Sequence, residues 1–347
     1  MNTKASKNNF LYSIMILGIM TFLMVIIGGI TRLTGSGLSI VDWRPITGIL
    51  PPLNYEQWYA IFDLYKQSPE YLSINNGMSL DEFKSIFWLE YIHRLWGRLI
   101  GFVLLVPTFI VFFKKQFIEH RINIIMLWIL GAGQGLMGWY MVKSGLVNVP
   151  WVSPYRLTAH LCLALIIIAV IVKMVFKISN YHLPSIANQK SDSLWILGAV
   201  ILITLTIIMG GFTAGLHAGL IYNTFPLMGD SYMPNEVFIM TPLWTNLFEN
   251  ASTVQFVHRN LALFTLGYIF FITWRIIKSN AEIKYKKLYK SLFFAAIIQV
   301  ILGISTILSM VPVWLASIHQ AWAILLFTKC LWTYFVVINP KPQDHLA

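Results

Sequence analysis

The sequence predicts an all-α membrane protein whose eight transmembrane helices form two pseudo-symmetric four-helix bundles. Three observations favour this fold class. The 347 residues are 57% hydrophobic and only 11% charged, whereas charged residues make up about a quarter of an ordinary soluble domain. Eight apolar stretches reach the roughly twenty residues that an α-helix needs to cross a bilayer. The two halves of the chain also carry an internal repeat.

The predicted helices are set by these apolar stretches. In chain order they cover residues 10–30, 87–113, 122–142, 155–178, 194–214, 253–276, 290–310 and 313–338. The longest link, residues 35–85, contains a cluster of aromatic residues at Tyr55, Trp58, Tyr59 and Phe62. This cluster predicts a further helix that lies along the membrane interface.

The net charge of +11 follows the predicted topology. Basic residues concentrate in alternate links, for example Lys114, Lys115 and Lys284, while the other links carry acids such as Glu56 and Asp230. Because an excess of Lys and Arg marks the cytoplasmic side, both termini should be cytoplasmic and the acidic links external. We expect a multi-pass protein of a bacterial cell (inner) membrane, in contact with lipid and not with nucleic acid.

The repeat keeps one register within pairs of helices. EYIHR at 90–94 matches QFVHR at 255–259, and the same offset of 165 pairs Gln134 with Gln299 and Gly138 with Gly303. An offset of 159 pairs His160 with His319, and an offset of 182 pairs GGITRLTGSGL at 28–38 with GGFTAGLHAGL at 210–220. Four helices per repeat give both halves the same orientation in the membrane. The predicted domains are residues 1–180 and 181–347.

Four histidines lie inside predicted helices: His93, His160, His258 and His319. Each falls five to nine residues from the expected external end, so each bundle offers two imidazoles at one depth. An ionisable side chain within a membrane is a functional candidate. Two imidazoles do not complete a zinc site, but they do complete the axial coordination of a haem iron. The alternative is that these histidines only hydrogen-bond neighbouring helices.

Arginines follow the first histidine of each pair: Arg94 and Arg98 come after His93, and Arg259 comes after His258. An arginine at the outer end of a bundle can bind a haem propionate through two hydrogen bonds. Snorkelling toward the headgroups is the alternative. Aromatic and small residues near these helices would suit a flat macrocycle, although on their own such residues more often serve ordinary packing; they are Trp96, Gly97, Gly101, Trp139, Trp314 and Trp322.

The halves differ at Glu90, whose counterpart is Gln255. Glu90 precedes His93 by three residues and therefore shares its helix face. A buried carboxylate beside a haem can relay protons or stabilise developing positive charge, whereas an amide does not titrate. The alternative is an ion pair with Arg94 or Arg98. The difference predicts a reactive first bundle and a second bundle that transfers electrons.

Five segments carry a family resemblance: GGITRLTGSGLSIVDWRPITGILPP at 28–52, FWLEYIHRLWGR at 87–98, QGLMGWYMVKSGL at 134–146, GGFTAGLHAGLIYNTFPLM at 210–228 and FENASTVQFVHR at 248–259. They resemble heme A synthase over essentially the whole chain. The similarity is greatest to the alphaproteobacterial and mitochondrial group, which lacks a cysteine pair in the first external link. Residues 35–85 contain no cysteine here.

The resemblance implies a function for each half. It implies oxidation of a methyl group of haem O, through a hydroxylated intermediate, to the formyl group of haem A for cytochrome oxidase. His93 and His160 would bind the substrate haem, with Glu90 essential for catalysis, and His258 and His319 would ligate a haem b cofactor. Haem O synthase, a farnesyltransferase, would be the upstream partner. A homo-oligomer is compatible with the sequence.

Two other functions remain open from the residues alone. A dihaem electron-transfer protein of the cytochrome b kind would use the same four histidines. A transporter is the other, because parallel repeats also occur in transporters. Few charged residues lie within the predicted membrane segments apart from those beside the histidines, which disfavours transport.

Overall fold

The structure, a computed structural model of the chain, describes residues 3–43, 47–145, 151–184 and 189–341. Residues 44–46 and 146, which belong to two of the family segments, lie outside this set. Eight long helices lie within it: α1 (Thr3–Leu33), α2 (Leu80–Phe113), α3 (Arg121–Gly145), α4 (Pro154–Ser179), α5 (Gln189–Gly215), α6 (Ala251–Lys278), α7 (Ile283–Leu308) and α8 (Val313–Ile338).

All eight helices are long and apolar enough to cross a membrane. The predicted fold class is therefore confirmed: this is an all-α, multi-pass membrane protein. The pseudo-symmetric relation of the two halves stays a prediction.

The helix ends differ from the predicted ends, and α1, α2 and α7 each begin seven residues before the predicted start. Helix α2 begins at Leu80 because a capping box precedes it. The Ser79 side chain accepts a hydrogen bond from the Glu82 backbone, and the Glu82 side chain accepts one from the backbone of Ser79. Such reciprocal capping satisfies donors that the first helical turn leaves unpaired. As a result His93 lies thirteen residues into its helix and not five to nine.

The chain forms two compact units. The N-terminal unit comprises residues 15–167, and the C-terminal unit comprises residues 1–14 and 168–347. In the C-terminal unit α5 packs against α6 and α8, and α7 also packs against α6 and α8, so the four helices form a closed ring. In the N-terminal unit α2 packs against α3. The domain boundary predicted after residue 180 stays a prediction.

A short helix, Tyr55–Lys66, confirms that the first link contains a helix, while its position along the membrane interface stays a prediction. Asn54 caps it by accepting a hydrogen bond from Gln57. Its aromatic face packs on α2 in a cluster whose buried members are Phe62, Tyr65, Phe83, Phe87 and Tyr91. Burial of one such side chain stabilises the fold by about 1.5–3 kcal/mol. The cluster therefore fixes the short helix on the part of α2 that precedes His93.

Glu70 is a buried carboxyl group in the same link, with only 5% of its surface exposed. Tyr65 donates a hydrogen bond of 3.0 Å to its Oε2 atom. Burial is the main cause that raises the pKa of Glu70; the Tyr65 hydrogen bond opposes it and the negative charge of Glu90 adds to it, so that the pKa is about 7. The carboxyl group should therefore titrate near neutral pH.

We predict that the region of the first link around Glu70 becomes less stable as the pH rises. The folded chain holds the Glu70 proton more tightly than an unfolded chain, in which the pKa is 4.5. Its contribution is therefore complete below pH 4.5 and is lost as the pH rises through about 7. Limited proteolysis of residues 55–75 between pH 5 and 8 should show cleavage that increases with pH. Glu70→Gln should remove this dependence and the exposed control Glu56→Gln should retain it; an unchanged pH profile in Glu70→Gln would contradict the prediction.

Candidate functional site

The four helical histidines form two pairs, one in each unit. His93 on α2 and His160 on α4 belong to the N-terminal unit, and the two imidazoles are close enough to interact electrostatically. His258 on α6 and His319 on α8 belong to the C-terminal unit and interact in the same way. The structure therefore brings together the pairs that the repeat predicted.

Each imidazole in the N-terminal unit lies against a glycine of another helix. A Cβ atom on Gly28 of α1 would stand only 3.3 Å from Nε2 of His93. A Cβ atom on Gly138 of α3 would stand 3.5 Å from Cε1 of His160. The absence of a side chain at these two positions lets the rings lie directly on the neighbouring backbone.

The C-terminal unit repeats both contacts more tightly. A Cβ atom on Gly210 of α5 would be 3.1 Å from Cε1 of His258, and one on Gly303 of α7 would be 2.9 Å from Cε1 of His319. The offsets of 182 and 165 relate these glycines to Gly28 and Gly138. All four imidazoles therefore have the same local setting, a ring placed over a glycine of another helix.

Hydrogen bonding distinguishes the second histidine of each pair. In the C-terminal unit the Gln299 amide lies 3.3 Å from Nδ1 and 3.5 Å from Nε2 of His319. In the N-terminal unit the equivalent Gln134 donates to the backbone oxygen of His160, at 3.1 Å. The Nδ1 atoms of His160 and His258 are buried and have no hydrogen-bond partner among the described residues.

Glu90 is buried and accepts hydrogen bonds on both oxygens. Ser39 and the backbone N–H of Ile40 donate to Oε2 at 2.7 and 2.8 Å. Arg94 donates to Oε1 through Nε at 3.0 Å and through Nη2 at 2.5 Å. The ion pair considered from the sequence is therefore present, and in this geometry the carboxylate is a fixed negative charge.

Arg94 also binds the backbone of the first link, which joins α1 to α2. It donates to the carbonyl oxygen of Ile40 at 2.8 Å and to that of Asp42 at 3.4 Å. Glu90 and Arg94 together hold residues 39–42 against α2. We refer to this set of contacts as the loop clamp. All three guanidinium nitrogens of Arg94 donate hydrogen bonds within the clamp, so this side chain is not free to bind a haem propionate.

The C-terminal unit has a clamp of the same design without the carboxylate. Gln255 donates to the Tyr222 carbonyl oxygen at 2.9 Å, and Arg259 donates to the Thr224 carbonyl oxygen at 2.5 Å. The offset of 182 relates these acceptors to Ile40 and Asp42. Arg259 is only 8% exposed, and its Nη1 has no hydrogen-bond partner among the described residues. A donor remains available on this guanidinium.

A small cavity lies inside the ring of α5–α8. Its volume is about 40 Å³, and its lining includes Thr206, Ala262, Gln299 and Ala323. Each of these residues is one helical turn from Gly210, His258, Gly303 or His319. This volume has room for water but not for a macrocycle, so a porphyrin would require the surrounding side chains or helices to move apart.

The remaining predicted residues have varied surroundings. Arg98 lies one turn after Arg94 on α2 and is partly buried. Trp96 donates to the Met20 carbonyl oxygen at 2.9 Å, and Trp322 donates to that of Ala295 at 2.8 Å. Trp139 contacts the ring of Trp43, and Trp314 is 65% exposed. Trp96 and Trp322 thus join neighbouring helices.

The chain is similar to proteins of known family. The family model described as cytochrome oxidase assembly protein (COX15-CtaA) matches residues 12–331. The chain belongs to this family. It is 46% identical to the heme A synthase of Paramagnetospirillum magneticum over 90% of this chain and 89% of the relative. It is 44% identical to that of a Wolbachia from Brugia malayi over 94% and 96%, respectively. It is 43% identical to heme A synthase COX15 of Arabidopsis thaliana over 93% and 73%, respectively.

Two features of the site in this family member were not assigned from the sequence. The sequence paired Gly138 with Gly303 but gave the glycines no role, and it paired Gln134 with Gln299 without a partner for either amide. Both pairs occur at the offset that relates His93 to His258. The shared offset was therefore the signal that could have identified them.

We predict that alanine at Gly303 destabilises the C-terminal unit. Replacing a helical glycine by alanine usually stabilises a helix by about 0.5–1 kcal/mol, but here the new methyl group would stand 2.9 Å from His319. Displacing a buried ring costs about 1–3 kcal/mol. Thermal unfolding in detergent should show a lower Tm for Gly303→Ala. At Gly267 on α6 a Cβ atom would meet nothing within 4 Å, so the control Gly267→Ala should not lower the Tm. Equal Tm values for the two variants would contradict the prediction.

Proposed function

We propose that this protein is a heme A synthase, an oxidoreductase that converts haem O to haem A. A methyl group of haem O would be oxidised first to a hydroxymethyl group and then to the formyl group. Written formally, the first step adds the oxygen atom of a water molecule and releases two electrons and two protons, and the second step releases two more of each. An electron acceptor outside this chain must take up the four electrons. The observation that carries the proposal is the paired imidazoles, two in each unit and each lying on a glycine, in a family whose curated relatives are named heme A synthase.

The donor set suits a haem. Two imidazoles supply the axial ligands of an iron whose other four ligands belong to the porphyrin. Within the part of the chain that the structure describes, the buried Nδ1 of His258 has no hydrogen-bond partner, and the small cavity is lined in part by Ala262 and Ala323, one helical turn from His258 and His319. We assign His258 and His319 to a resident haem b, which would supply one-electron transfer when bound. We assign His93 and His160 to the substrate haem O.

The difference between the two clamps supports this division of roles. Glu90 places a negative charge one turn from His93, whereas Gln255 places a neutral amide one turn from His258. A fixed anion aimed at the position where positive charge develops stabilises that charge. Removing electrons from a methyl carbon of a porphyrin makes the carbon and the attached ring more positive. Glu90 is therefore the catalytic residue of the proposal, acting in this geometry as an anion.

Arg259 is the residue most suited to a propionate of the resident haem. Its guanidinium is buried, has no carboxylate in the clamp and keeps Nη1 available. In the N-terminal unit Arg94 is paired with Glu90. A propionate there would therefore bind Arg98, or would bind Arg94 after the pair with Glu90 has broken. Arginine binds carboxylates through paired hydrogen bonds, which would also orient the macrocycle.

The charge distribution supports a location and a supply route. Basic residues in alternate links favour cytoplasmic termini in a bacterial inner membrane, with both clamps on the external side. Haem O is made by farnesylation of haem b, so a haem O synthase is the expected supplier. A homo-oligomer is compatible with this arrangement.

The dihaem electron-transfer protein remains the second candidate, because both units present the same pair of imidazoles. The carboxylate found only in the N-terminal clamp favours the synthase. A pure electron carrier needs no chemical difference of this kind between its two haem sites. Haem extraction separates the two functions directly, since only the synthase produces haem A.

We predict that neutralising Glu90 abolishes most of the conversion while haem binding persists. Gln255 occupies the equivalent position in the C-terminal clamp, so an amide of this size fits the fold, and Glu90→Gln removes the charge together with one of the two accepting oxygens. Loss of such a stabilising group typically costs about 10²–10³-fold in rate. The measurement is haem A formed from haem O by cells that express each variant, with the exposed Glu56→Gln as control. Full conversion by Glu90→Gln would remove the proposed role.

We also predict that His258→Ala or His319→Ala loses the resident pigment. Purified protein of either variant should lack the absorption of haem b, because one axial ligand is missing. The N-terminal histidines remain, so added haem O should still bind. Haem b retained at the wild-type level in both variants would contradict the assignment of the C-terminal pair.

A further inference from the structure

Arg32, in the last turn of α1, is a largely buried cation that belongs to neither clamp. It lies in the N-terminal unit. Its Nη2 atom is buried and has no hydrogen-bond partner among the described residues, and no carboxylate of those residues pairs with it. A charge taken out of water without a counter-charge is costly. The guanidinium is therefore suited to an anion that the described part of the chain does not supply.

The position of Arg32 on α1 relates it to the imidazole of His93. Arg32 follows Gly28 by four residues, so the two residues share one face of the helix. Gly28 is the residue against which the His93 ring lies. The Cα–Cβ bonds of a helix tilt toward its N-terminus, so the Arg32 side chain leaves the backbone toward the turn that Gly28 keeps bare. The cation thus belongs to the same face of α1 as the contact with His93.

Two ordinary roles of an arginine at a helix end do not account for Arg32. A snorkelling arginine keeps its charged head in water or among the headgroups, whereas Nη2 of Arg32 is buried. An arginine can also bond the last carbonyl groups of its own helix. Here the carbonyl oxygens of residues 30–32 already accept hydrogen bonds from the backbone N–H groups of residues 34–36.

The C-terminal unit has no arginine at the equivalent position. The offset of 182 that relates the two supporting glycines also relates Arg32 to Ala214. The structure supports this register, because Thr31 and Thr213 each donate a side-chain hydrogen bond to the carbonyl oxygen four residues earlier. The unit in which Glu90 neutralises the clamp arginine therefore has a buried cation outside the clamp, on α1.

We propose that Arg32 binds one propionate of haem O in the N-terminal unit, as a substrate-binding residue that the C-terminal unit lacks. This inference rests on the proposed assignment of His93 and His160 to the substrate haem. A propionate is a carboxylate, and a guanidinium binds a carboxylate through two parallel hydrogen bonds. A haem has two propionates, and the second remains for Arg98 on α2.

The consequence is a fixed orientation of the substrate. Two axial imidazoles alone leave a haem free to turn about the axis that joins them. A propionate held by α1 stops this rotation and so decides which methyl group of the ring faces the reactive part of the site. Oxidation of one particular methyl group requires such a restraint, whereas a haem that only transfers electrons does not. The presence of Arg32 in one unit and Ala214 in the other agrees with this difference.

The test compares the binding of two ligands to the purified protein with its haem b in place. The ligands are haem O and haem O dimethyl ester, in which both propionates are neutral. Arg32→Gln should raise the Kd for haem O by about tenfold to a hundredfold, the usual range for a hydrogen bond to a charged group. The Kd for the ester should not change. Lys7→Gln is the matched control, because it removes an exposed cation from the other end of α1 and should change neither Kd.

A second variant, Arg32→Lys, keeps the buried charge. Its ammonium group cannot form the paired hydrogen bonds, so the Kd for haem O alone should again rise, by a smaller factor than in Arg32→Gln. The absorption of the resident haem b reports whether each variant has kept its fold.

The outcomes separate this inference from the proposed function. A loss of affinity confined to haem O supports binding of a propionate, because a packing defect would weaken the ester equally. Equal losses for the two ligands, or no loss for either, overturn the inference while the substrate site itself stands. Wild-type protein that binds no haem O beyond its haem b would instead contradict the proposed function.

Discussion

The contact between an imidazole and a bare glycine backbone is the constraint on which the rest of the site depends. It occurs four times, at Gly28, Gly138, Gly210 and Gly303. A ring that lies directly on a helix backbone fixes the spacing between two helices and its own depth along them. The same contact also limits how the ring can rotate. Coordination of a planar group by two such rings needs both properties, and glycine is the one residue that leaves room for them.

Around this common framework the two units differ in electrostatics. The N-terminal clamp contains a carboxylate and a guanidinium, while the C-terminal clamp contains an amide and a guanidinium. The charges of Glu90 and Arg94 therefore balance in the N-terminal clamp. The C-terminal clamp contains the buried cation Arg259, whose Nη1 has no hydrogen-bond partner among the described residues. The two units thus share the same helices and the same contacts between histidine and glycine, and a few side chains make their electrostatics different.

The sequence predicted the fold class and the pairing of the histidines because both are periodic signals. Apolar length defined the helices, and offsets of 165 and 159 matched His93 to His258 and His160 to His319. Helix ends were harder, because the Ser79–Glu82 capping box extends α2 through residues that are not apolar. Contacts of Glu90, Arg94 and Gln299 were harder still. Each of these side chains has several possible partners within reach, and the folded backbone decides which one it meets. For that reason the sequence left two roles open for Glu90, a reactive carboxylate or one half of an ion pair.

The clamp in the N-terminal unit also has a mechanical consequence. Glu90 and Arg94 are four residues apart on α2, His93 lies between them, and both side chains hold residues 39–42. One turn of helix, about 5.4 Å of rise, thus links the outer loop to the imidazole. A displacement of that loop must therefore either break the charged pair or move the turn of α2 that carries His93. The position of residues 39–42 is thus coupled to the position of the imidazole.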